Sequence, residues 1–263
     1  MNIIKRELRA GLKPFIFWII GLFVLVFIGI VKYQGLSSGG TDMAQFVTVF
    51  PRIVRAVMGI VDVNLNTLAG YSVILSYYVL VFVIIYAVHL GASAVSRESV
   101  DKTYEFLFTK PCSRTRILAL KLISAVIFLA LFCVFNALFS VMAVATLKSS
   151  ESVTGQIMVF TVSAFFIGLL FIALAAFMAA AASRAEKGSL YGNLAFLYAF
   201  VLGVIYNMLE NPGVLKLFSP MSYFTPADLM QSRLDPIYSG LTLFLAAALF
   251  TSAFIAFKKK DML

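Results

Sequence analysis

Charge is scarce in this chain. Its 263 residues include 21 Lys and Arg and 12 Asp and Glu, 13% in all, and the mean hydropathy is +0.98. A soluble domain could not coat itself with so little polar surface, so the soluble classes are excluded. Cysteine is scarcer still. Cys112 and Cys133 stand in no metal spacing and predict neither a disulfide nor a zinc site. The single histidine, His89, lies near the end of an apolar run and reads as a packed or interfacial residue, not a proton relay. No carboxylate stands inside the apolar runs, which argues against an ion-coupled carrier. The patterns G-x-x-x-x-G-K-[ST], H-E-x-x-H and G-x-S-x-G are all missing. The expectation is therefore no catalytic residue and no cofactor or metal held by this chain. Basic-aromatic patches are absent outside the run flanks, so nucleic acid is not an expected partner. No inverted repeat is visible, and no segment between the runs is long enough to bury a core of its own.

What is present is apolar: 62% of the residues. Six uncharged runs are long enough to cross a bilayer: Phe15–Val31, Ala69–Val95, Leu122–Leu147, Gln156–Ala182, Ser189–Leu209 and Pro236–Phe257. The predicted fold is all-α and integral to the membrane, one six-span domain over residues 1–263. The first run lacks a cleavage pattern and is not a signal peptide. With the N-terminus cytoplasmic, 15 Lys and Arg fall inside and six outside, while acidic residues divide six and six. The positive-inside rule thus predicts both termini in the cytoplasm, and the net charge of +9 reports topology and contact with anionic lipid.

Three of the connecting segments show helical periodicity or unusual length. In residues 2–13, Lys5, Arg9 and Lys13 recur at i, i+4 and i+8, matched by an apolar stripe of Ile4, Leu8 and Leu12. Pro14 is expected to end this stretch, making an interfacial elbow helix before the first span. Residues 43–60 predict an external amphipathic helix, with Phe46, Val49, Phe50, Ile53, Val54 and Val57 on one face and Pro51 kinking it or starting its second half. The external segment 210–235 is half apolar and proline-punctuated, long enough to re-enter the membrane as a hairpin.

The segment between the second and third runs, Ser96 to Lys121, concentrates nine charged residues in a chain that otherwise avoids them. Residues 96–110 predict a short cytoplasmic helix. Glu98 and Asp101 sit in its first turn, Pro111 stops it, and Val100, Tyr104, Leu107 and Phe108 form an apolar face opposite Glu98, Lys102 and Glu105. A plain connector needs only a handful of residues, whereas a short amphipathic helix is what a partner's groove grips.

The string RESVDKTYEFLFTKPCSRTRILALKL resembles the signature of permease subunits of bacterial ABC-2-type transporters, through Glu98, Thr103, Glu105, Phe106, Leu107, Pro111, Ser113, Arg114 and Lys121–Leu122. GxSAVSRE, FPRIVRAVMGI and FSPMSYF also resemble that family, so the likeness runs nearly end to end. It implies a multi-pass protein of a bacterial or archaeal plasma membrane, paired with a second permease copy as homodimer or close paralogue. Two copies of a separate ABC ATPase would carry the ATP and Mg. Each would dock on a coupling helix through Arg97, Glu98, Asp101, Lys102 and Glu105, with Tyr104, Phe106, Leu107 and Phe108 as the apolar wedge. The resemblance implies export. Scattered polar groups in the spans, Tyr77, Tyr78, Asn136, Asn193, Tyr198 and Asn207, are the candidates for a cargo path. A path so lined suits amphipathic or apolar cargo: a peptide, toxin, antimicrobial or lipid, with exporters of phenol-soluble modulins as one match in size. The same asparagines also serve as interhelical glue. The alanine run FIALAAFMAAAA predicts close helix contact, at a dimer seam or the cargo path. The competing readings are a non-transporting membrane scaffold or immunity protein and, less favoured, the ion-coupled carrier.

Overall fold

The computed structural model describes residues 3–39, 42–60, 63–100, 113–147, 151–183, 186–209 and 213–259. In chain order its helices are α1 (Ile3–Ser38), α2 (Met43–Thr48), α3 (Arg52–Val57), α4 (Leu68–Val100), α5 (Arg114–Ala145), α6 (Thr154–Ala181), α7 (Glu186–Met208), α8 (Leu215–Phe218), α9 (Pro226–Met230) and α10 (Pro236–Lys259), with a 3-10 turn at Pro220–Ser222. Among the described residues six helices, α1, α4, α5, α6, α7 and α10, are long and apolar enough to cross a membrane, and there is no strand. Each of the six expected runs lies in one of them to within two residues. The chain is an all-α integral membrane protein.

Helix α6 is apolar on every side and sits at the centre, packed by α4, α5, α7 and α10. Small residues allow that crowding. Ala164, Gly168, Ala173, Ala175, Ala176, Ala179 and Ala180 are all buried on it. Opposite them, a Cβ at Gly91 of α4 would strike the Ile172 carbonyl oxygen, and one at Gly188 of α7 would lie 2.9 Å from Ala179 Cβ. The alanine run therefore makes the close helix contacts predicted for it, and makes them inside this chain's own bundle. Helix α1 flanks α5 and α4. It turns Phe17, Ile20, Ile28 and Val31 outward, as a lipid-facing helix does.

Two expected breaks do not occur. Helix α1 runs unbroken through Pro14, so the elbow is not a separate helix. The ring removes one backbone donor, and a long helix absorbs that loss as a local bend. Within it Lys5, Arg9 and Lys13 are exposed and Ile4 and Leu8 half-buried, as the stripe predicted, but Leu12 is exposed, and Ile3 packs on Ile117 in its place. Likewise, Ser96–Val100 are the last turn of α4 and not the start of a new helix. Ser96 Oγ donates to the Ala92 carbonyl, which keeps it inside the α4 ladder. Ser113 then caps α5, its hydroxyl accepting from Arg116 N.

The 43–60 segment is two short helices, because Pro51 starts the second. Val49, Ile53 and Val57 remain exposed, and Ala56 is the residue buried where α3 rests on α7. The described part of 210–235 folds back onto the bundle. Met221 and Tyr223 are buried, Ser219 and Ser222 hydroxyls bond at 2.9 Å, and Tyr223 Oη donates to the Leu217 carbonyl at 2.7 Å. Burial first, and Tyr238 second, push the Tyr223 phenol up to about 12.

Candidate functional site

Two concave regions lie at opposite ends of the bundle, joined by α4. The first is at the end where α1 and α5 begin and α4 finishes. There the start of α1, the end of α4, the start of α5 and Ser189 of α7 enclose a recess of about 460 Å³. Lys121 is 5% exposed, and its Nζ donates to the Ala94 carbonyl of α4 at 3.1 Å. An ammonium is held that deep only when the chain satisfies it. The bond therefore ties the two helices that lead into and out of the 101–112 connection. Arg97, Ser96 and Glu7 also line the recess, and Glu7 is bridged to Arg6 at 2.7 Å. Tyr86, Leu90 and Phe128 line it as well, so apolar and charged side chains share one recess. His89 lines the same recess from an exposed position on α4.

The second region is a cavity of about 60 Å³ among α4, α6, α7 and the loop that carries α9. Tyr77 and Asn207 line it with Ser76, Ser163 and Ser222. The Tyr77 hydroxyl is buried and has no hydrogen-bond partner among the described residues. Asn207 Nδ2 reaches the Ala56 carbonyl of α3 at 3.5 Å, so that short helix closes one side. The turn after α3 comes closest: Gly59 has φ +72°, and any Cβ there would meet the Tyr77 ring at 2.5 Å. From the other side α9 is fixed by a capping box. Thr225 N and Oγ1 both donate to Asp228 Oδ2, at 2.9 and 2.6 Å, and Asp228 N donates back to Thr225 Oγ1.

The cargo-path candidates therefore separate. Tyr77 and Asn207 share the cavity. Tyr78 is 37% exposed and faces an apolar groove of about 860 Å³ among α1, α2 and α4, although its ring packs edge-on to Tyr77 at 5.9 Å. Asn136 is buried in α5, its Oδ1 without a hydrogen-bond partner among the described residues, in neither region. Asn193 and Tyr198 stand on the exposed face of α7 beside Leu190, Leu194 and Leu197. Of the coupling residues, Arg97 is exposed at the end of α4. The side chain of Glu98, and all of Asp101, Lys102, Tyr104, Glu105, Phe106, Leu107 and Phe108, lie outside the described residues.

In the sequence Lys121 stands as a positive flank and a motif match. Its helical register is the further signal, because it shares a face with the buried Leu118, Ala125 and Leu129, at spacings of three, four and eight. The recess itself had no such signal, because its walls come from four helices far apart in sequence.

Sequence comparison with curated proteins finds no match. The family model described as ABC-2 family transporter protein matches residues 1–262. That span takes in every helix described above and the signature between α4 and α5. The chain belongs to the ABC-2 transporter family, as a multi-pass plasma-membrane permease subunit that works with an ABC ATPase.

Proposed function

We propose that this permease is half of an ATP-driven exporter for amphipathic or apolar cargo, a peptide, toxin, antimicrobial or lipid, and that the basic end of the bundle faces the cytoplasm. Residues 96–110 form the contact with the ATPase, one per permease, and a second copy or close paralogue completes the membrane part. ATP and Mg belong to the ATPase.

The observation that carries this reading is the continuity of α4. Its 33 residues run without a break from the recess beside the coupling segment to the cavity holding Tyr77. At 1.5 Å per residue that is a rod of ~50 Å. Lys121 clamps its basic end to α5, so a push on the 101–112 connection moves both helices together. The far end of the rod forms a wall of the Tyr77–Asn207 cavity, which the α9 loop covers. Displacing α4 then opens that cover outward, the direction export requires. In a paired assembly, Asn193 and Tyr198 on the outward face of α7 are the candidates for a path between copies. The near absence of charge along these surfaces supports apolar or amphipathic cargo over ions.

The test is a pull-down of the tagged chain from native membranes, with an ATPase assay on what comes with it. The wild type is expected to bring an ATPase, and the Tyr104→Ala/Glu105→Ala pair to lose it. Glu98→Arg should insert normally yet abolish cargo-stimulated ATP hydrolysis. Failure of any ATPase to copurify would favour the scaffold reading, and normal export by Glu98→Arg would remove residues 96–110 from the coupling role.

A further inference from the structure

We propose that the recess at the basic end is a binding site for an anionic phosphate, shaped for one that carries a hydrocarbon chain. It opens between the starts of α1 and α5 and the end of α4, level with the exposed Lys5, Arg9 and Lys13. A basic flank of this kind gathers anionic headgroups in front of the opening. At about 460 Å³ the recess is within the size range of small-molecule sites.

The charged and titratable groups facing it are Lys121 and Arg97, His89 on α4, and Glu7 on α1, whose carboxylate is already bridged to Arg6. The facing charge is therefore positive. Lys121 is buried at the wall and Arg97 stands exposed at the mouth, so a phosphate between them meets an ammonium on one side and a guanidinium on the other. Both cations also make contacts within the chain, Lys121 with the Ala94 carbonyl. Ammonium and guanidinium groups carry several N–H donors each, so those contacts and a phosphate are compatible. Ser189 of α7 supplies a hydroxyl donor, whereas the Ser96 and Ser124 hydroxyls donate within their own helices, to the Ala92 and Leu120 carbonyls. Tyr86, Leu90 and Phe128 give the same recess an apolar wall. Free phosphate has no use for that wall, whereas the upper chain of a lipid does.

The site needs neither the ATPase nor the cargo, so it is tested on the purified full-length chain, and its failure leaves the transport reading standing. Native mass spectrometry and thermal melting would compare phosphatidylglycerol, phosphatidylcholine and inorganic phosphate as probes. Phosphatidylglycerol should be retained and raise the melting temperature, and zwitterionic phosphatidylcholine should do neither. Loss of one charge-assisted contact in Lys121→Gln should weaken phosphatidylglycerol about tenfold. Because Lys121 is buried and its variant can misfold, Arg97→Gln at the exposed mouth is the second variant, with a severalfold loss expected. Stabilisation by inorganic phosphate, with no further gain from the lipid, would assign the phosphate site to a soluble ligand and discard its hydrocarbon half. Equal retention of the two lipids, or phosphatidylglycerol binding unchanged in Arg97→Gln, overturns the proposal.

Discussion

Tyr77 shows how a single residue separates stability from function. A buried hydroxyl without a partner forfeits hydrogen bonds that it made in water, so its removal costs the fold little or nothing. Tyr77→Phe should therefore leave stability within about 0.5 kcal/mol of wild type, read as the melting temperature in detergent. If the hydroxyl contacts cargo, the same variant lowers transport severalfold, and unchanged transport would relegate Tyr77 to a packing role. The sequence marked Tyr77 as a polar group in an apolar span. It carried no sign that Gly59 closes over the ring or that Asn207 shares the cavity, since those positions are distant along the chain. Asn193 and Tyr198 had the same sequence credentials and emerged on the outside, because helical register alone does not say which face a neighbour covers.

Among the elements, the loop over the cavity depends on local capping. Helix α9 has only five residues and cannot hold itself by its own ladder. Its Thr225–Asp228 box supplies the missing partners, and Gln156 Nε2 reaches the Met230 carbonyl from α6 at 3.4 Å. Thr225→Val keeps the shape and removes the cap. It should cost about 1 kcal/mol of stability and speed hydrogen exchange across 219–230 ahead of the rest of the chain. Exchange that quickens equally everywhere would mean that the cap supports the whole bundle and not this loop. The sequence expectation for this stretch rested on its prolines and apolar content, and passed over the T-x-x-D spacing at Thr225, the local signal for a helix start. That the loop packs on the bundle had no such signal, because its anchors, Tyr223 and Met221, read equally well as exposed residues of a linker. The opposite error occurred at Pro14. Proline is a strong local signal against helix, yet a 36-residue helix continues through it, since flanking turns hold the chain on both sides.

For the whole molecule, topology is the statement most exposed to experiment. The charge count places both termini and the 96–121 segment on one side of the membrane and residues 38 and 214 on the other. In a background with Cys112→Ser and Cys133→Ala, Ser38→Cys and Val214→Cys should react with an impermeant maleimide on intact cells. Lys258→Cys should react only after permeabilisation. Labelling of Lys258→Cys on intact cells would invert the bundle and place residues 96–110 where no cytoplasmic ATPase could reach them.

The sequence by itself determined the class, the number of spans and the location of the charged segment that carries the family signature. These follow from the transfer cost of charge into hydrocarbon, which acts on each run independently of its neighbours. Helix continuity through Pro14 and through Ser96–Val100, the central place of α6, the Lys121 clamp and both concave regions were decided only by the tertiary structure. In hydrocarbon an apolar face gains little by meeting another apolar face, so hydropathy does not select partners. Fit between small residues and a few buried polar groups does select them: Gly91 against Ile172, Gly188 against Ala179, and Lys121 on the Ala94 carbonyl. That fit exists only once the helices have met.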